Sequence, residues 1–204
     1  IGPLAGLLAI GVIWQLSAPR SLNPAGAPAP GAPDVLLITV DTLRADHVGA
    51  YGNPRVWTPA MDGLASAGAR FSRASAQIAV TGPSHLTMLS GQGPWSHGVL
   101  LNGMPVPADI GWLPESMRAA GYRTGAFVSA YVLDGTHGFS RGFEVYDDDF
   151  GWLQGWADTG PGRIGRLLGR QLHPEHVLER EGAATVEQAL AWRRSVDGAP
   201  VFLW

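Results

Sequence analysis

Two short segments carry side chains whose types and positions suit transfer at a tetrahedral phosphorus or sulfur centre. Asp41 stands at the carboxyl end of the apolar run Asp34-Val-Leu-Leu-Ile-Thr-Val40, the place where open α/β sheets hold their ligands. A carboxylate at the end of a buried strand costs several kcal/mol to desolvate unless a divalent cation or an arginine pairs with it. Arg44 is three residues away. The same carboxylate would also serve simply as the cap of the following turn. Thr81 opens the run Thr81-Gly-Pro-Ser-His85 just before an expected helix, where unpaired backbone N–H groups and the positive end of the helix dipole favour an anion. A hydroxyl at that point can act as a nucleophile if a metal lowers its pKa and a donor holds the transferred oxyanion. An ordinary N-cap preceding a proline has the same residues.

The elements that must position these groups follow from pattern. Val35 to Val40 is a continuous apolar run, as in a central strand covered on both faces. Thr58-Pro59, with Met61, Leu64 and Ala65 at helical spacing and Gly68 as the stop, predicts a helix. Phe71 to Val80 reads as a second strand, Thr81 to about Leu89 as a helix closed by Gly91, and Leu113 to Ala120 as a helix before Gly121. Thr124 to Val132 reads as a strand, Ala184 to Arg194 as a last helix, and a strand begins at Val201. Alternating strands and helices predict a layered α/β sheet with parallel pairings.

Composition narrows the chemistry. Of the 204 residues 14 are basic and 17 acidic, so the formal charge of −3 argues against binding nucleic acid through net charge. All the basic residues are Arg, and Cys is absent. Thiol nucleophiles, Cys-ligated zinc, disulfides and lysine Schiff bases are therefore excluded for this stretch. Residues 1–17 are almost wholly apolar and uncharged and read as a signal peptide or membrane anchor, and residues 18–33, rich in Ala, Pro and Gly, as a linker. Together they predict an exported protein, periplasmic, extracellular or membrane-anchored.

The order of the motifs points further. Val35-Leu-Leu-Ile-Thr-Val-Asp-Thr-Leu-Arg-Ala-Asp46 with Gly49-Ala-Tyr-Gly52 comes first, then Thr58-Pro-Ala-Met-Asp-Gly-Leu-Ala-Ser-Ala-Gly68 and Ala69-Arg-Phe71. Val80-Thr-Gly-Pro-Ser-His-Leu-Thr-Met-Leu-Ser-Gly91, Ser96-His-Gly-Val99, Gly121-Tyr-Arg-Thr124 and Gly142-Phe-Glu-Val-Tyr-Asp-Asp148 follow in turn. From about Asp34 to Phe150 the chain resembles the sulfatase branch of the alkaline phosphatase superfamily. The resemblance implies a three-layer α/β/α sandwich around a mostly parallel sheet, with residues 34–204 as the N-terminal part of a sulfatase-like catalytic domain. It implies Asp41 as a metal ligand and Thr81 as a nucleophile that also touches the metal. It further implies a role for His85, where the sulfate-ester hydrolases carry Arg, and for Asn102 as a donor to a phosphoryl oxygen. Asn102-Gly103 alone would also make an Asn-Gly turn.

The departures sharpen the chemistry. Sulfate-ester hydrolases oxidise Cys or Ser at the nucleophile position to formylglycine, an aldehyde that the secondary alcohol of Thr81 cannot give. Their Gly-Lys-Trp-His run reads Val128-Ser-Ala-Tyr131 here, and the second Asp of the metal loop is Thr42. Threonine is the nucleophile of the superfamily's phosphoryl-transferring members. The resemblance therefore implies phosphoester chemistry through a covalent phosphothreonine. Sulfate-ester hydrolysis without formylglycine and a catalytically silent binding module are the alternatives. Ligands without thiolate suit zinc, manganese or calcium, and the substrate expected is a small-molecule, lipid or glycan ester. The family's remaining metal ligands come from Asp and His in an Asp-His-Gly motif that does not occur here, so the chain by itself is expected to be inactive. His97 reads as a turn-fixing residue. His173-Pro-Glu-His176 reads as a solvated loop, Asp147-Asp-Asp149 as hydrated surface, and the Arg163, Arg166, Arg170 face as solvated.

Overall fold

The computed structural model describes residues 28–150 and 179–204. The apolar segment at residues 1–17, most of the linker, the Arg163, Arg166, Arg170 face and His173-Pro-Glu-His176 lie outside the described residues.

Four strands build one parallel sheet in the order β1-β4-β2-β3: β1 Val35–Leu36, β2 Arg123–Phe127, β3 Val145–Asp147 and β4 Val201–Leu203. Phe202 lies opposite Val35 on one side and Thr124 on the other, while Ala126 faces Tyr146. Because side chains alternate along a strand, the register sorts them into two faces. Val35, Leu37, Thr39, Thr124, Ala126, Tyr146, Phe202 and Trp204 share the first. Leu36, Ile38, Val40, Gly125, Phe127 and Leu203 share the second.

Helices cover both faces, so the expected three-layer arrangement around a parallel sheet is what the chain forms. The first face receives α2 (Thr81–Ser90) and α4 (Leu113–Ala119). Leu86, Leu89, Trp112, Phe139 and Phe143 pack there with Ala126, Phe202 and Trp204 into the main core. The second face receives α5 (Gly182–Ser195), whose Trp192 ring lies 6.0 Å from that of Phe127. Position 125 must be glycine for this helix to seat, since a Cβ there would stand 2.8 Å from the Trp192 ring. The ends of the sheet are tied by ion pairs, Arg193 with Asp34 and Arg123 with Glu144. The Arg193 guanidinium and the Val201 N–H hold the Asp34 carboxyl below its ordinary pKa.

Three expectations need correction. The Phe71 to Val80 stretch is a loop, with Phe71 74% exposed. Its residues recur as Ser-Arg-Ala-Ser-Ala, without the β-branched alternation a strand packs by. The Val35 to Val40 run is not covered on both sides among the described residues. β1 is the edge strand, and Leu36, Ile38 and Val40 are 61%, 66% and 50% exposed beside an apolar cleft of about 500 Å³ against α5. Helices α1 (Pro59–Ala67), α2, α4 and α5 fall where the capping and periodicity signals put them. β2 stops at Phe127, and the expected continuation to Val132 turns instead into a one-turn 3-10 segment at Tyr131–Leu133.

Candidate active site

The chain turns sharply out of the β1 segment at Asp41. Thr42 follows with φ 56°, the single non-glycine residue with positive φ among the described residues. For a β-branched side chain this left-handed backbone costs on the order of 1–3 kcal/mol. One return on it is visible: the bend brings the Thr42 N–H onto Asp41 Oδ1 at 2.9 Å and leaves Asp41 Oδ2 facing α2.

Thr81 is the first residue of α2, with Val80 as its extended N-cap and no side-chain cap of its own helix. The Thr81 hydroxyl instead donates to Asp41 Oδ2 at 2.8 Å, joining residues forty apart in the chain. The N-cap reading of Thr81 is thereby replaced by a tertiary contact, and the capping of α2 passes to a remote side chain. Asn102 Oδ1 accepts the Gly82 N–H at 2.8 Å. A backbone N–H donor leaves no choice in the amide's orientation. Its oxygen faces Gly82, so its NH2 is turned away from the helix, and among the described residues no hydrogen bond engages it. Gly82 is confined by this contact, as a Cβ there would meet Asn102 Oδ1 at 3.2 Å.

His85 lies one turn further along α2 and is buried. Its Nδ1 is 2.8 Å from the Thr81 carbonyl oxygen and its Nε2 is 3.1 Å from Thr39 Oγ1. Burial pushes its imidazole below the ordinary pKa, opposed by the Thr81 carbonyl and the charge of Asp41. Both ring nitrogens are thus engaged by the protein, and the ring reaches Thr81 through the backbone. Trp204 Nε1 donates to the same Thr39 hydroxyl at 3.2 Å.

The structure therefore brings Asp41, Thr81, His85 and Asn102 together around the first turn of α2. Arg44 does not join them: it makes a two-pronged ion pair with exposed Asp46 at 2.9 and 2.7 Å. Asp41 itself is exposed, so it carries little of the desolvation cost that a buried strand end would impose. Two hard oxygens 2.8 Å apart, on Asp41 and Thr81, can lie side by side in the coordination shell of one divalent cation. They fit as part of such a shell. No group of three or more His, Cys, Asp or Glu able to hold a metal occurs among the described residues.

Two residues near the site escaped the sequence reading. Thr39 had one signal available, a hydroxyl at an inward period-2 position among Val35 and Leu37. Trp204 had none, because only the sheet order places it beside β1. His97 does fix a turn, but through more than its neighbouring glycine. Its Nδ1 accepts the Val99 N–H at 3.1 Å, and its Nε2 meets Thr87 Oγ1 at 3.1 Å. Thr87 in turn donates to the Pro83 carbonyl at 2.9 Å. Helix α3 (Pro94–His97) is thereby tied to α2.

This tie has a pH signature. An Nδ1 that accepts an N–H must stay unprotonated, and burial holds the His97 pKa below its ordinary 6.5. The unfolded chain then takes up a proton that the folded one refuses, so stability falls as pH drops below about 6.5. His85 acts with the same sign. The urea midpoint is expected to decline between pH 7 and pH 5. His97→Asn, whose Oδ1 can replace Nδ1 as acceptor, is expected to flatten that decline. An equal slope in the variant would show that His97 titrates alike in both states.

The family model described as Sulfatase matches residues 33–157. An ulvan-active sulfatase of Formosa agariphila is 32% identical over 106 residues, covering 52% of this chain and 20% of that protein. Arylsulfatase A of Homo sapiens is 35% identical over 120 residues, covering 54% of this chain and 24% of that protein. The chain thus spans between about a fifth and a quarter of the length of these relatives. Among solved structures, the phosphonate monoester hydrolase of Agrobacterium radiobacter superposes with a TM-score of 0.60 at 24% identity, over 84% of this chain and 40% of its own. That likeness is one of fold. A 2-O GAG sulfatase superposes with a TM-score of 0.51 at 28% identity, over 57% of this chain and 26% of its own. With the family match running from the residue before Asp34 to beyond Phe150, and enclosing Asp41, Thr81, His85 and Asn102, this chain belongs to the sulfatase family.

Proposed function

We propose that this chain carries the nucleophile of a metal-dependent ester hydrolase or transferase, with Thr81 attacking a phosphate or phosphonate ester. The observation that carries this reading is the 2.8 Å hydrogen bond from Thr81 Oγ1 to Asp41 Oδ2. It supports a hydroxyl held by a carboxylate at the start of a helix, the geometry of an activated nucleophile. A divalent cation held by Asp41 and Thr81 would lower the pKa of the hydroxyl and offset the developing charge. Zinc, manganese or calcium suits these oxygen donors.

The chain's own residues supply the rest. Asp41 orients the Thr81 hydroxyl. Attack in line forms the Thr81 Oγ–P bond and breaks the ester P–O bond; the hydroxyl proton leaves along its hydrogen bond to Asp41 Oδ2, and the departing alkoxide takes up a proton in exchange. Water or another alcohol then attacks phosphorus and releases Thr81 Oγ. The free amide NH2 of Asn102, held outward by the Gly82 N–H, donates to a nonbridging oxygen as charge builds on it. The secondary alcohol of Thr81 rules out an aldehyde at this position, which is why phosphorus is favoured over sulfur. The relatives named as sulfatases, one ulvan-active and one an arylsulfatase, motivate a second reading. In it Thr81 hydrolyses a sulfate ester directly. Glycan, lipid and small-molecule esters all remain in the substrate class. The apolar, uncharged residues 1–17 and the Ala/Pro/Gly linker support an exported or membrane-anchored location.

Aryl phosphodiesters, aryl phosphonate monoesters and aryl sulfates given to the intact protein with zinc or manganese should rank with phosphorus esters first. Preference for the sulfate overturns the phosphorus assignment. Asn102→Ala is expected to lower kcat by roughly 10²–10³-fold, the effect of removing one oxyanion donor. Asn102→Asp keeps the acceptor for Gly82 but loses the donor and adds charge, so it should fall at least as far. A loss of less than threefold in both would reduce Asn102 to a helix cap.

A further inference from the structure

We propose that Thr39 and Trp204 are positioning residues for Thr81, acting through His85 by a directed chain of hydrogen bonds. This rests on the reading of Thr81 as the nucleophile. The direction of each bond follows from what the atoms can do. Trp204 Nε1–H only donates, so Thr39 Oγ1 accepts at 3.2 Å. The Thr81 carbonyl only accepts, so His85 Nδ1 carries a proton and donates at 2.8 Å. The Thr39 hydroxyl, already an acceptor from Trp204, directs its own proton to His85 Nε2 at 3.1 Å. One consistent arrangement results: an Nδ1–H imidazole, its tautomer set by the Thr81 carbonyl, its Nε2 lone pair met by Thr39 and its ring seated against the Trp204 ring at a centroid distance of 5.6 Å.

The consequence falls on Thr81. Its carbonyl receives a side-chain bond from the residue four positions on, which fixes the peptide plane after Thr81 and so the direction of its Cα–Cβ bond. Oγ1 is then held on Asp41. Near-attack geometry is sensitive to displacements well under an ångström, and chains of hydrogen bonds in a buried setting reinforce one another. The three contributors come from distant parts of the sequence. β1's extension supplies Thr39, α2 supplies His85, and the residue after β4 supplies Trp204, where the β1–β4 pairing puts it. The sheet register is thereby coupled to the orientation of the nucleophile.

The test is made on the intact protein with selective ¹⁵N-histidine labelling, His85 being assigned by the signal lost in His85→Gln. In the wild type the His85 proton is expected on Nδ1. Thr39→Val, which keeps the shape and removes the hydroxyl, is expected to shift the His85 Nε2 signal, whose lone pair loses its donor, and to lower kcat about tenfold with little change in KM. Thr39→Ser is expected to restore both readouts. Trp204→Phe, which keeps a packed ring, should shift both in the same direction by less. A wild-type Nε2 signal and kcat in Thr39→Val would overturn the proposal, as would a Thr39→Ser variant that behaves like Thr39→Val. The Nε2 readout stands whether or not Thr81 proves to be the nucleophile. Full turnover in Thr81→Ala would sink the nucleophile reading, and an unmoved His85 signal in Thr39→Val would sink the chain.

Discussion

Thr81→Ala in the intact protein lowers kcat toward every ester it turns over by about 10⁴-fold or more, the scale on which loss of a covalent nucleophile is felt. The expectation follows from what the hydroxyl contacts. Among the described residues its partner is Asp41 Oδ2, so removing it sacrifices one exposed hydrogen bond and leaves the packing of Leu86 and Leu89 in place. Stability should change by less than about 1 kcal/mol, which separates lost chemistry from lost fold. Thr81→Ser keeps an alcohol in reach and should retain most activity. Brief reaction with a phosphodiester, acid quench and peptide mass analysis should find Thr81 esterified to the phosphoryl half of the substrate that keeps its second ester bond, with the leaving alcohol lost. Full turnover in Thr81→Ala would remove covalent catalysis at this position.

The second large effect is expected at Asp41. Asp41→Ala should weaken binding of zinc or manganese at least a hundredfold, since loss of partners that only orient metal ligands already costs 10–100-fold. It should take kcat/KM down with it. Asp41→Asn preserves an oxygen for the Thr42 N–H and so tests charge apart from shape. Because Asp41 is exposed, neither variant should lower the apo-protein's melting temperature appreciably. Unchanged cation affinity in calorimetry would show that Asp41 only orients Thr81.

The legibility of the fold varied with the locality of its signals. Helix α1 announced itself by Thr58-Pro59 and Gly68, and α4 by Leu113-Pro114 and Gly121, because capping and first-turn proline act within a few residues. The cap chemistry was less legible. Thr58 Oγ1 accepts the Gly49 N–H and donates to Asp62, stitching the 3-10 turn at Gly49–Tyr51 to α1. Strands were read less well. β3 passed unnoticed at three residues, too short for a period to show. Its half-buried Tyr146 packs against Phe143 and Trp204, and the desolvation of its phenol pushes the pKa up, with Asp148 and Asp134 adding to the shift. Asp148, expected as hydrated surface, is half-buried and accepts the Gly135 N–H, and burial raises its pKa. Asp147 is paired with Arg180 at 2.6 Å. An acidic run has no sequence mark that separates solvated from structural carboxylates.

Of the site, residue types and order were readable in the chain, and arrangement was not. Sequence by itself determined the family, the strand-then-helix setting of Asp41 and Thr81, and the absence of any thiol or lysine, because these are properties of local pattern and composition. Tertiary structure alone decided that the Thr81 hydroxyl serves Asp41 instead of capping its helix. It also decided that Asn102 caps α2 from outside, and that His85 turns both ring nitrogens inward to Thr81 and Thr39. A hydrogen bond is worth little unless its partners are within about 3 Å and aligned. For residues tens of positions apart, that condition is set by strand order and helix seating, which no neighbouring residue encodes.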